Sequence, residues 1–299
     1  MITWFLLSLG SAFGNSSVAA LSKRAVSLGQ YNKITVAFVS ISTASILLFI
    51  ASYIFIGTPT LQDGFWRAIL ITGSLNLIMF PLTLKSFQYG EFSTAYSMSR
   101  ATPIFLLLTS WIILKESPPI LGMVGVVLTV AGLITITKND AANTEASNPL
   151  LGNILALVVA LMASITVNYD KLATIYSNRF FAPACITAFM GLGYATYLLI
   201  RHRGLIVKTG KIQDVAFAPH FILSGIALLL LTGFIQAVNN VFHNSALLIG
   251  FASYTIAIKR ISILFGVIWG WLFFREKNIS KKLIGALVAI AGVLLILLS

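Results

Sequence analysis

Four residues, Gln236, Asn239, Asn240 and His243, stand at i, i+3, i+4 and i+7 inside the apolar stretch "FIQAVNNVFHNS". On a helix that spacing puts them on one face, where three amides and an imidazole can hydrogen-bond a polar solute or line a wet path. In hydrocarbon an unpaired amide costs several kcal/mol, so these groups must meet partners or water. Two readings are open: interhelical hydrogen bonds that hold a bundle together, or the wall of a cavity. Four polar side chains over two turns exceed what one helix contact needs, which favours the cavity. A second set adds charge. Lys259 and Arg260 lie about 12 residues into a later apolar run, roughly 18 Å from its start at 1.5 Å per residue and close to mid-bilayer. Arg100, with Tyr96 one turn before it, is shallower and can snorkel or bind.

Cations of this kind would meet a carboxylate or phosphate. Glu91, Glu116, Asp170, Asp214 and Glu276 all read as lying at or beyond span ends, which predicts a positive cavity without a counter-charge. Such a cavity suits an anionic or zwitterionic solute better than a cation exchanged for protons. His243 has an ordinary pKa near 6.5 and is read either as a carrier of a coupling proton or as a neutral, hydrogen-bonded histidine. Ser8, Ser11 and Asn15 share a face of the first apolar run; for the hydroxyls alone, bonding back to the helix is the simpler reading.

The elements that must position these residues follow from composition. Of 299 residues 58% are hydrophobic and 9% charged, and the mean hydropathy is +0.94. That is a membrane protein, because a soluble chain uses about a quarter charged residues. The formal net charge of +12 does not point to nucleic acid, since the Lys and Arg fall in short connections and form no basic face. Cys185 has no partner cysteine and reads as a core residue.

Ten spans are predicted, at 2–22, 34–56, 66–88, 93–114, 118–137, 150–169, 183–200, 219–242, 248–274 and 278–298, the first as a retained helix. The runs are too long for barrel strands, so the fold class is all-α integral membrane. One long polar connection, 138–149, separates five spans (1–137) from five (150–299). At an offset of 160 residues Thr72-Gly73 aligns with Thr232-Gly233, Gly90 with Gly250, Arg100 with Arg260, Trp111 with Trp271, Lys115-Glu116 with Arg275-Glu276, Gly125 with Gly285 and Ala131-Gly132 with Ala291-Gly292. Because five is odd, the second copy enters the membrane inverted, the plan of secondary transporters with a site near the midplane. The stripe then has a counterpart, Asn76, Met79, Phe80 and Thr83, with a more apolar lining. Walls of unlike polarity suit a solute with apolar and polar parts.

"FGNSSVAALSK" (13–23), "ATPIFLLLTSWIILKESPPILGMVGVVLTVAGLI" (101–134) and "FFREKNISKKLIGALVAIAGVLLIL" (273–297) together resemble the drug/metabolite transporter superfamily, EamA type. The resemblance covers nearly the whole chain. It implies ten helices in two inverted five-helix repeats, alternating access through a central cavity, a multi-pass place in the cytoplasmic membrane, and transport of small solutes, an amino-acid exporter first. A sugar-phosphate or organic-phosphate exchanger is the second reading, with Lys259 and Arg260 clamping the phosphate. Ile263 stands where helix four has Pro103, a departure from the shared pattern.

An intramembrane enzyme would need two Asp, or Ser with His, brought together in lipid, and no such signature is present. No metal-ligand spacing and no cofactor motif appears. The candidate solute-binding residues are therefore Asn15, Asn76, Tyr96, Arg100, Gln236, Asn239, Asn240, His243, Lys259 and Arg260. Glu116 and Glu276 either tie helix ends to neighbours or latch a gate. Gly266 and Gly270 form a small-xxx-small pair, a packing seam and a candidate homodimer face. Lys and Arg outside the spans concentrate on the odd-numbered connections, which puts both termini outside by the positive-inside rule, whereas the resemblance implies cytoplasmic termini.

Overall fold

The computed structural model describes residues 2–27, 31, 33–89, 98–99, 101–138, 148–200, 225–265 and 283–299. Among them run ten helices: α1 Ile2–Ser27, α2 Lys33–Phe55, α3 Phe65–Tyr89, α4 Thr102–Ile113, α5 Ile120–Lys138, α6 Pro149–Ile175, α7 Phe181–Ile200, α8 Gly225–Ile249, α9 Ala252–Lys259 and α10 Leu283–Leu298. Six of these, α1, α2, α3, α6, α7 and α8, are long and apolar enough to cross a membrane by length and composition. Their outer faces carry exposed apolar side chains such as Leu157, Val158 and Phe234, as lipid contact requires. Tyr96, Arg100, Glu91, Asp214, Glu276 and the Gly266/Gly270 pair lie outside the described residues.

The two halves interlock. Helix α5 packs on α10 and α2 on α7, while α3 packs on α6 as α1 does on α8, and α4 on α6 as α9 does on α1. Exchanging each helix for its counterpart five places on leaves that set of pairs unchanged, which is the mark of a two-fold relation. The α5–α10 seam gives its direction. A Cβ on Gly125 would meet the carbonyl oxygen of Gly292 at 2.6 Å, and one on Gly132 would meet that of Gly285 at 2.6 Å. Moving up α5 from 125 to 132 thus moves down α10 from 292 to 285. Counterpart helices run antiparallel, so the repeats are inverted. The absence of side chains at these glycines lets the backbones touch.

Several spans run differently from their sequence limits. Helix α6 continues to Ile175, past Asn168, Tyr169, Asp170 and Lys171, and α8 continues to Ile249. Polar residues do not end these helices because their partners lie inside the bundle. Helix nine is also interrupted: α9 stops at Lys259, Arg260 is its C-cap, Arg260 and Ile261 form a turn, and helix resumes over 262–265. The first half breaks in the same register, helical at 98–99, turned at Ala101 and helical again from Thr102. A proline at 103 is therefore not required for the break in the second copy. There the turn tightens through the Ile261 N–H donating to the Ile258 carbonyl (2.9 Å), a three-residue step. Lys259 and Arg260 consequently sit at the end of a short helix rather than within a continuous one.

Buried hydroxyls mostly bond to their own helices. Thr129 donates to the Gly125 carbonyl, Thr187 to that of Pro183 and Thr232 to that of Leu228, and the half-buried Thr83 does the same to Met79. These satisfy polar atoms locally and leave the amides and charges to define the site.

Candidate functional site

Among the described residues, eight helices, all but the α5–α10 pair, contribute to a cavity of about 340 Å³ between the two halves. Asn15 enters from α1, Asn76 and Met79 from α3, and Gln236, Asn240, His243 and Asn244 from α8. The α4 break supplies Thr102, and the α9 break supplies Lys259 and Arg260. Asp170 and Thr166 face it from α6, with Ile186, Thr187 and Met190 from α7. Seven of the ten residues expected from sequence thus line one space: Asn15, Asn76, Gln236, Asn240, His243, Lys259 and Arg260.

Asn239 does not. It is 2% exposed, its Oδ1 accepts from the Ser11 hydroxyl (2.9 Å), and its Cβ lies 2.9 Å from where a side chain on Gly14 would begin. Its neighbour Asn240 is rotated by about 100° around the helix, enough to face the cavity instead. The interhelical reading of the stripe therefore holds for Asn239, which fastens α8 to α1. Tyr96 and Arg100 lie outside the described residues.

The polar lining is ordered by its own contacts. Gln236 Nε2 donates to Asn240 Oδ1 (3.0 Å), Asn244 Nδ2 to the Asn240 carbonyl (2.8 Å), and the Thr174 hydroxyl to Asn244 Oδ1 (2.7 Å). Asn15 Nδ2 donates to the Ser262 hydroxyl across the α9 break (3.3 Å). Arg260 Nη2 donates to the Thr102 hydroxyl (3.0 Å), so the guanidinium bridges the breaks of the two repeats. The two cations make a site for a carboxylate or phosphate beside the neutral hydrogen-bonding amides.

One expectation is overturned. Asp170 is not at a helix end but five residues before the end of α6, and it lines the cavity within electrostatic reach of Lys259. The cavity has a counter-charge. Sequence reading also missed Thr102, Asn244, Thr166 and Thr187. For Asn244 a signal existed, since it stands four residues after Asn240 and continues that side of the stripe.

Below the cavity, on the side where Trp4 and Ser299 both reach Tyr254, Glu116 ties three elements. Lys171 Nζ donates to Glu116 Oε1 (2.6 Å) and to the Gly250 carbonyl (2.7 Å), and the Ala252 N–H donates to Glu116 Oε2 (2.8 Å). The end of α4, the body of α6 and the α8–α9 junction are joined at one ion pair.

The EamA-like transporter family model matches residues 2–138 and again 150–298. The chain belongs to the EamA-like transporter family. Its two matches coincide with the two interlocked halves, and its members are membrane transporters of small solutes rather than enzymes. No curated protein matches the chain by sequence. A solved crystal structure superposes with a TM-score of 0.69 over 97% of this chain and 97% of its own, at 12% identity, a likeness of fold alone. This EamA-like chain is a multi-pass membrane protein.

Proposed function

We propose that this transporter moves a small amphipathic zwitterion, an amino acid, by alternating access through the central cavity, and that it exports it across the cytoplasmic membrane. The observation that carries the reading is the placement of Lys259 and Arg260 opposite Asp170 in one cavity. The solute carboxylate takes Lys259 and Arg260, a charge-assisted contact about twice as strong as a neutral one. The ammonium takes Asp170. Asn76, Gln236 and Asn240 accept or donate to the remaining polar atoms, and Met79, Ile186, Met190 and Ile256 face an apolar side chain. The second reading, a sugar phosphate, has two adjacent cations in its favour but must place a dianion near Asp170, a like charge. Export is the direction proposed, one of the two, export or import, that the family resemblance implies.

Counterflow in proteoliposomes preloaded with unlabelled solute tests this. Labelled leucine or phenylalanine should accumulate transiently, while labelled glucose 6-phosphate should not. Accumulation of the sugar phosphate alone would replace the amino-acid reading with the exchanger.

A further inference from the structure

Asp170 is the only carboxylate lining the cavity among the described residues, and the resting contacts leave it partly unused. Its Oδ1 is buried without a hydrogen-bond partner, and the nearby Thr72 hydroxyl on α3 donates to the Thr166 carbonyl (3.2 Å). Lys259 of α9 is the charge that acts on it, and the same cavity wall carries Arg260 after α9 and His243 and Asn244 from α8. Helix α4 presents Thr102, and α7 presents Pro183, Ile186, Thr187 and Met190, with no titratable group among them. The adjacent Lys171 is committed to Glu116 and the Gly250 carbonyl.

A carboxylate at this depth needs either a cation beside it or a proton on it, because desolvating a lone charge is prohibitive. Lys259 is the resident cation. A zwitterion entering between α6 and α9 would draw Lys259 and Arg260 to its carboxylate and offer its own ammonium to Asp170. When that ammonium leaves toward either side, the carboxylate loses a cation and a proton can take its place. One carboxylate does not hold an ammonium and a proton at once.

We propose that Asp170 is the shared site of the solute ammonium and a proton, occupied by one at a time, so that each solute moved in one direction is exchanged for a proton moved in the other. This rests on the zwitterion reading above. In the exchange R–NH3+ departs from Asp170 carboxylate, and H+ binds to give the neutral acid. Charge and atoms balance with no further reactant, and a proton gradient directed inward drives export.

Leucine binding to the purified protein, measured by calorimetry between about pH 5 and pH 7.5, tests the exchange, because leucine itself stays zwitterionic across that range. A competing proton should weaken wild-type affinity by up to about tenfold per pH unit toward acid, by mass action at a single site. Asp170→Asn should bind more weakly and show no pH slope. His243→Gln should keep the wild-type slope, and Asp170→Glu should keep a slope with its onset displaced. Should Asp170→Asn not bind at all, the His243→Gln and Asp170→Glu pair decides. A slope that survives in Asp170→Asn, disappears in His243→Gln, or is absent from the wild type overturns the proposal. Failure of leucine to bind the wild type at any pH would instead remove the zwitterion reading and the exchange with it.

Discussion

Arg260→Ala should lower solute flux by about 100-fold while the protein still inserts and stays folded. Truncating one partner of a desolvated charge pair costs roughly 2–5 kcal/mol, and about 2.7 kcal/mol is a hundredfold. The fold should survive because the Thr102 hydroxyl keeps its bond to the Ser99 carbonyl (3.2 Å) and Asn15 still reaches Ser262 across the break. Arg260→Lys should recover part of the flux by restoring charge without the two-pronged donor geometry. Initial rates of counterflow, normalised to protein recovered in the monodisperse fraction, check both variants. Flux unaltered in Arg260→Ala would remove the central cation from the account.

Breaking the Glu116–Lys171 pair should have the second largest effect. The two side chains are 10% and 12% exposed, so neither charge has ready access to water. Lys171→Met should destabilise the protein by about 3 kcal/mol, the range for removing one partner of a buried pair, because Glu116 is left with a single donor, the Ala252 N–H. The double variant Glu116→Gln with Lys171→Met should lose much less than the sum of the single losses, since no buried charge is then stranded. Denaturation midpoints in one detergent measure all three. Additive losses would mean that the pair does not hold α4, α6 and the α8–α9 junction together. Because this knot joins α4 of the first repeat to α6 and the α8–α9 junction of the second, transport should slow in the single variants even where the folded fraction is recovered.

Much of the architecture was legible before any coordinates. The repeat showed through residues that a biased apolar composition does not match by chance, Arg100 with Arg260, Trp111 with Trp271 and the glycines of α5 with those of α10. Those glycines prove to be the seam across which the halves are inverted. The polar stripe of α8 was legible as a period, and its members Gln236, Asn240 and His243 share the cavity.

What was not legible depends on neighbours. Asn239 and Asn240 are adjacent in sequence and alike in chemistry, and only the approach of Gly14 and Ser11 on α1 decides which one packs. Asp170 read as a helix end because charge usually lies outside hydrocarbon. Glu116 and Gly250, far away in sequence, satisfy Lys171 and let the helix run on through both charges. The α9 break carries no proline to announce it. It shows in the turn at Arg260 and Ile261, beside a cavity where irregular backbone is tolerated.

Cysteine accessibility tests the cavity itself. In a Cys185→Ala background, single cysteines at Asn76, Gln236 and Asn240 should react with a membrane-impermeant thiol reagent in the purified transporter and be protected by leucine. Cysteines at Asn239, buried against α1, and at Phe234, 54% exposed on the outer face, should show no protection by leucine. Equal labelling of all five positions, or none protected by solute, would contradict a solute-accessible space between the two repeats.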